Sequence, residues 1–557
     1  MRRNDGETGA RGRIILAIAA CVGIYGMIGA RLIALGMAPA AAALGPTLSP
    51  QDEVQASRPD IIDRNGEVLA TDLATASLYA EPRNIGNVDE AVEGLTSVLP
   101  ELNAADLRAD LSSDRGFVWL KREISARLRE KVHDLGIPGV GFLTETRRFY
   151  PGGPSVGHIV GHVNVDNAGI AGLERSIDRS GLGALQAVGL ARKGRDMAPV
   201  QLSLDLRVQH AVRDELTRAI ERYRAKAAVG IVLDSDTLEV VAMSSLPDYD
   251  PNEPAQALDQ KRMNRALTGV FELGSIFKTF TLATALDLGT VTMTSSVDAR
   301  YPMSIGHFTI KDFHGQHRWL TVPEVFKYSS NIGTAKIARA VGKEQQQAYL
   351  KSFGFFDRMR TELPEGARPL VPSRWADITA ATVSYGHGMA VTPMHAAAAA
   401  AAVVNGGIYA APTFYPRTRA EMEAAGHRVL KPETSAKMRE LLYINAQEGS
   451  GRRARVPGYN VGGKTGTAEK AVKGGYATDK RINSFLAAFP IDAPKYVVLV
   501  VLDEPKVEEG QVYATAGMNS APTVANIISR IGPMLDVKPR FDKDDAVARA
   551  IEIAYQE

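Results

Sequence analysis

Three kinds of hydrophobic patterning divide the 557-residue chain. The first is a long apolar run from Ile14 to Ala30, which continues after Arg31 from Leu32 to Met37. Seventeen helical residues span about 26 Å, marginal for a bilayer, but Arg31 can snorkel and let the helix reach Met37. The second is mixed. Alternating apolar positions from Arg58 to Ala70 flank Asn65-Gly66 and predict a β-hairpin. Helical periodicity runs from Ala91 to Val132, broken by the strand-like Phe117 to Leu120, and Gly161 to Glu174 is punctuated by glycine. The third begins near Val200. It predicts a strand at 200–204, a helix capped by Asp205 and running to Tyr223, and strands at 229–233 and 238–243. A helix from Ser275 to Leu286, a short β region at 308–313, and helices at 376–388 and 395–404 follow. Strands at 458–467, 484–489 and 496–502 and a helix at 521–531 close the region. Strands from both ends bracketing a helical middle predict one α/β sandwich whose sheet is assembled from distant segments.

This pattern predicts a short tail at 1–13, a transmembrane helix at 14–37, a linker at 38–57 and an α+β pedestal at 58–198. A catalytic domain at 199–535 and a charged tail at 536–557 complete it. Four arginines precede the apolar run and few charges follow it, which places the N-terminus in the cytoplasm and the rest outside the inner membrane. The competing reading is a cleaved signal peptide, since Ala38 to Ala43 offers small residues to a peptidase. Within the pedestal, charged residues such as Arg148 and Glu174 read as structural partners.

Composition narrows the chemistry. Hydrophobic content of 45% and charged content of 23% are those of a folded protein. A net charge of +2 gives no footprint for nucleic acid. Cys21 is the single cysteine, so a disulfide framework or cysteine metal site is excluded, and no His-Glu-x-x-His is present. No cofactor is implied.

Candidate chemistry lies in three short motifs. In Phe271-Glu-Leu-Gly-Ser-Ile-Phe-Lys278, a helix places Ser275 and Lys278 on one face, a hydroxyl beside an amine. Ser329-Ser-Asn331 falls in a loop between helices, and Lys464-Thr-Gly-Thr467 falls inside a predicted strand. Order, spacing and context together resemble the penicillin-recognising serine acyltransferases. Arg58 to Ala70, Arg148 to Pro151, Gly169 to Glu174 and Asp250-Pro-Asn252 extend the resemblance to the class B penicillin-binding proteins. Two departures stand out: Leu273, where many relatives carry proline, and Ala516 to Pro522, which differs from the usual pattern.

The resemblance implies a membrane anchor, a non-catalytic pedestal and a C-terminal α/β sandwich of the serine β-lactamase-like transpeptidase fold. It implies that Ser275 attacks the penultimate D-alanine carbonyl of a stem peptide ending in D-Ala-D-Ala, with Lys278 as its base. Lys464 would lower the pKa of Lys278 and supply positive potential. Ser329 would relay a proton, and Asn331 would hold the substrate amide. Thr465 and Thr467 would bind the terminal carboxylate, and Gly466 would let substrate approach the strand edge. The backbone N–H groups of Ser275 and Thr467 would form the oxyanion hole. β-Lactams would be inhibitors. Residues 194–209 and the single anchor look most like the septal, cell-division type, with the elongation type as alternative. A SEDS-family glycosyltransferase and other division proteins are the partners the resemblance implies.

Other readings of the same residues are a D,D-carboxypeptidase or β-lactamase, in which water resolves the acyl-enzyme, and a non-enzymatic β-lactam sensor or division scaffold. Gly458 to Thr465 also satisfies the pattern of a phosphate-binding loop. Such a loop follows a hydrophobic strand and opens a helix, whereas this stretch follows polar residues and continues as a strand.

Overall fold

The computed structural model describes residues 26–27, 58–180, 197–472 and 475–541. The predicted transmembrane helix lies outside these residues apart from Gly26 and Met27, as do the charged tail from 542 and the linker. No helix among the described residues is long and apolar enough to cross a membrane.

Among the described residues two compact units form, Ala74–Thr146 and a larger body of 58–73 with the described residues from Arg147 onward. The predicted hairpin is present: β1 (Ile61–Ile62) pairs antiparallel with the start of β2 (Val68–Ala80) across the Asn65-Gly66 turn. In the smaller unit, helices α1 (Val88–Val98) and α2 (Ala104–Leu111) precede β3 (Val118–Ile124) and α3 (Ala126–His133). The later half of β2 pairs with β3, Tyr79 opposite Trp119. Asn87, Asn103 and Ser125 cap the three helices, each side chain accepting backbone N–H bonds. Leu78, Leu95, Leu111 and Ile124 form this unit's core.

The end of β4 (Val140–Phe149) delivers Arg148 to the larger body, and helix α4 (Gly172–Arg179) delivers Glu174. Both side chains are fully buried and pair at 2.7 Å. Arg58 joins Glu174 at 2.7 Å, and Asp72 pairs with Arg148 at 3.0 Å. The charged residues of this region are structural partners, as expected. Strand β5 is short, Val200–Gln201 rather than 200–204: Ser203 N donates to Phe414 O, which takes it out of the ladder.

Asp205 caps α5 (Leu206–Tyr223), accepting from Arg207 N and Val208 N. Then come β6 (Ala227–Asp234), β7 (Val240–Leu246), α6 (Phe277–Asp287), α7 (Val322–Lys327) and α8 (Asn331–Val341). Helices α9 (Asp377–Val383), α10 (Pro393–Val404) and α11 (Pro432–Glu448) follow. Strands β8 (Gly462–Val472), β9 (Gly475–Phe489) and β10 (Tyr496–Asp503) lead to α12 (Ser520–Met534). The predicted β region at 308–313 forms a strand only over Phe308–Ile310, paired with Met303–Ile305.

The three late strands and the two early ones form one antiparallel sheet in the order β8-β9-β10-β6-β7. Residue parity sorts its two faces, because side chains alternate along a strand. Val497, Leu499 and Val501 join Ile231, Phe280 and Leu441 in one core. Val498, Val500 and Leu502 join Val232, Leu216 and Ile527 in another. Helices α6, α10 and α11 thus cover one face and α5 and α12 the other. That explains why Tyr496 to Leu502 is apolar throughout rather than alternating. Edge strand β8 lies beside the turn that carries Ser275.

Candidate active site

Ser275 sits in a 3₁₀ turn (Gly274–Ile276) that runs directly into α6, so Lys278 occupies the first turn of that helix. Gly274 has φ +56°, and a Cβ there would lie 2.9 Å from Thr467 O. Only glycine adopts that conformation without strain. The nucleophile turn is therefore pressed against β8, with the backbone of Thr467 beside that of Ser275. Gly466 serves the same contact: a Cβ there would lie 2.2 Å from Leu273 O and 2.5 Å from Ser484 Oγ. Its missing side chain makes room for the nucleophile segment.

Leu273, the irregular position, is fully buried in the main core. Its side chain fills space beneath the turn, and its carbonyl accepts a 3.5 Å bond from Ser484 Oγ.

Lys278 and Lys464 are both fully buried. The hydrogen bonds of Lys278 Nζ go to Ser329 O, to Ser329 Oγ at 3.0 Å and to Asn331 Oδ1 at 2.7 Å. Its bonds are thus made to the Ser329 loop rather than to Ser275. Lys464 Nζ reaches the same Ser329 Oγ at 3.0 Å. Burial drives the pKa of Lys278 well below its usual range, and the charge of Lys464 pushes it further, against a smaller pull from Asp312. Burial lowers Lys464 to about 7.

These contacts fit a proton inventory for neutral Lys278. A neutral amine has two hydrogens and one lone pair. The Ser329 carbonyl and Asn331 Oδ1 only accept, so they take the two hydrogens. The lone pair is left for a hydroxyl proton, while Lys464 donates to the oxygen of that hydroxyl.

Ser329 holds φ +56°, a left-handed conformation unusual outside glycine, in the loop between α7 and α8. Its neighbour Ser330, not Ser329, caps α8, accepting from Gly333 N at 2.9 Å. Ser330 Oγ also donates to Asp312 at 2.7 Å, and Asp312 accepts from Ile332 N at 3.0 Å. Asp312 thereby fixes the loop. Asn331 Nδ2 spends one hydrogen on Lys311 O at 3.1 Å and retains the other for a substrate carbonyl.

Thr465, Thr467 and Ser275 line one cavity of about 710 Å³ together with Ser329 and Asn331. Thr467 Oγ1 accepts from Ala516 N at 3.0 Å, which leaves its hydrogen free to donate outward. Thr465 Oγ1 and Ser450 Oγ lie 2.6 Å apart, and Ser450 Oγ donates to Asn445 Oδ1 at 3.2 Å, which ties the Thr465 hydroxyl to α11. The hydroxyls of two threonines and a buried ammonium next to one nucleophile suit a carboxylate one residue beyond the reacting carbonyl.

Three further residues, Asp312, Ser450 and Glu272, support the site from distant segments. The Glu272 carboxylate accepts from Gly388 N and from Tyr476 OH, each at 3.0 Å, joining the nucleophile turn to two other segments. None of the three carries a local signal, since each acts through a partner distant in sequence. His387 also lines the cavity; its Nδ1 is buried without a hydrogen-bond partner among the described residues. The would-be phosphate loop continues into β8, with no helix for a phosphate to cap.

Fold and site together define a serine-dependent acyl-transfer centre with two buried lysines. Residues 228–529 match the penicillin-binding protein transpeptidase domain, and residues 53–180 match the penicillin-binding protein dimerisation domain. The chain is 40% identical over 503 residues to the probable peptidoglycan D,D-transpeptidase FtsI of Caulobacter vibrioides, covering 88% of this chain and 83% of that one. It is 29% identical to peptidoglycan D,D-transpeptidase FtsI of Escherichia coli K12, covering 87% and 85%. A solved transpeptidase domain of Burkholderia pseudomallei penicillin-binding protein 3 superposes with a TM-score of 0.55 at 34% identity, covering 61% of this chain and 97% of that one. A peptidoglycan synthetase structure from Bifidobacterium adolescentis shares the fold, with a TM-score of 0.67 at 22% identity, over 89% of this chain and 98% of that one. The chain belongs to the class B penicillin-binding proteins.

Proposed function

We infer that the chain is a peptidoglycan D,D-transpeptidase. The observation that carries this reading is the meeting of Lys278 and Lys464 on Ser329 Oγ, in the cavity that Ser275 lines. Ser275 Oγ attacks the carbonyl of the penultimate D-alanine as neutral Lys278 takes its proton. The backbone N–H groups of Ser275 and Thr467 stabilise the oxyanion. The proton returns through Ser329 to the departing terminal D-alanine, whose carboxylate rests on Thr465, Thr467 and Lys464. An amine of a second stem peptide then attacks the acyl-enzyme, forming the cross-link and freeing Ser275.

The same reading extends to cellular setting. Membership of class B, the relatives named FtsI and the apolar run at 14–37 support a single-pass inner-membrane enzyme of septal wall synthesis. Its N-terminus is cytoplasmic and its catalytic domain periplasmic, and it works with a SEDS-family glycosyltransferase and other division proteins. β-Lactams are its inhibitors, by stable acylation of Ser275.

Labelling with a fluorescent penicillin tests the nucleophile. The expected result is covalent label on the wild type and none on Ser275→Ala. An unlabelled wild type, or a labelled variant, would refute the assignment. Release of D-alanine without cross-linked dimers, when donor and acceptor peptides are both supplied, would make the enzyme a carboxypeptidase instead.

A further inference from the structure

Strand β8 runs past the nucleophile with Thr465, Thr467 and Glu469 at alternate positions, all three lining the cavity. The intervening Lys464, Gly466 and Ala468 are buried beneath them. Arg481 of β9 lies directly opposite Glu469 in the antiparallel register and lines the same cavity. Directly opposed residues point to one face, so Glu469 and Arg481 project from the same face of the edge ladder into the cavity. Neither is closed in an ion pair among the described residues. The nearest cation in sequence, Lys470, is turned away. The register shifts between Glu469 and Lys470, and the Lys470 ammonium is held by Asp503 at 2.7 Å and Glu504 at 3.1 Å.

Direction along the strand gives this pair a ligand. The hydroxyls that suit a terminal carboxylate lie at the Thr465 end, where Ser450, Arg452 and Arg453 also line the cavity. A stem peptide that places its reacting carbonyl at Ser275 must therefore run back along β8 towards Glu469. Glu469 lies about 7 Å beyond Thr467, two strand residues on. That is within reach of a long side chain on the residue preceding the D-Ala-D-Ala pair.

We propose that Glu469 and Arg481 form a specificity subsite for that side chain and select one ending in an ammonium and a carboxylate on the same carbon. A diamino diacid in the third position of the stem peptide, such as diaminopimelate, has this head group. Glu469 takes the ammonium and Arg481 the carboxylate, through charge-assisted hydrogen bonds. A lysine in the same position satisfies Glu469 only and leaves Arg481 unmatched. The subsite rests on the transpeptidase reading and names the donor that reading leaves open.

The test uses two synthetic donor peptides ending in D-Ala-D-Ala, identical except for diaminopimelate or lysine third from the C-terminus. Release of D-alanine gives kcat/KM for each. The wild type is expected to prefer the diamino diacid by about tenfold, the scale of one charge-assisted hydrogen bond. Arg481→Gln is expected to collapse that preference by slowing the diamino diacid donor alone. Glu469→Gln is expected to slow both donors, since both carry the ammonium. Equal use of the two donors by the wild type, or equal slowing of both by Arg481→Gln, would overturn the subsite. Labelling by a penicillin with an uncharged side chain reports separately on Ser275. Loss of label in a variant would mean that Arg481 or Glu469 holds the catalytic turn instead, which also overturns the proposal. No label in the wild type would overturn the transpeptidase reading itself.

Discussion

Lys278 and Lys464, 186 positions apart in the chain, each place Nζ 3.0 Å from Ser329 Oγ. One hydroxyl thus faces two buried amines, and each amine disfavours the charge of the other. The arrangement works with one neutral and one charged lysine: the neutral one accepts a proton, and the charged one donates to the hydroxyl between them.

Replacing Ser329 separates backbone strain from proton traffic. Ser329→Gly removes the hydroxyl and relieves φ +56°. The variant is expected to melt at or above the wild-type temperature, yet to acylate with penicillin about a hundredfold more slowly or worse. Ser329→Ala should acylate as slowly but melt lower, because alanine keeps the strain. Thermal melts and stopped-flow acylation check both.

Buried Lys464 makes stability depend on pH. It titrates at about 7 in the folded chain, against an ordinary 10.5. Between those values the unfolded chain holds a proton that the folded chain has released, so stability rises with pH across this window. The gain between pH 7 and 9 reaches up to about 2.7 kcal/mol. Lys464→Met should remove that contribution and leave only the rise that buried Lys278 adds, as measured by urea unfolding at the two pH values.

Gly466→Ala puts a methyl group where Leu273 O and Ser484 Oγ already stand. Strand β8 or the nucleophile turn must then shift, at a cost of about 1–3 kcal/mol. Because the same contact sets Ser275 against Thr467, penicillin acylation should fall more steeply than the melting temperature. Gly116→Ala, where a Cβ meets open space and φ is likewise not positive, serves as the control for the substitution without a clash.

Arg148→Ala leaves Glu174 buried with one of its two arginine partners gone. Breaking such a buried pair costs about 3–5 kcal/mol. Chemical denaturation should show that loss, whereas the molecules that remain folded should still take up penicillin at the wild-type rate.

The acylation motifs and the strands around them can be read from the residues alone. Ser275, Lys278, Ser329, Asn331 and Lys464 were legible because each stands in a short motif with fixed spacing. The apolar runs at 229–233 and 496–502 were legible as strands because a sheet covered on both faces needs no alternation. Tertiary structure decided everything that depends on distant partners. Lys278 bonds to the loop 51 residues away rather than to Ser275. Ser330 takes the helix cap that the neighbouring Ser329 matches equally well by residue type. Asp312, Ser450 and Glu272 act through segments far along the chain. Gly466 packs against Leu273 O, a contact that residue type and spacing do not reveal. Residue type and spacing fix local conformation and chemistry. Which groups meet is fixed by the sheet order, which brings β8 from the end of the chain to the turn before α6.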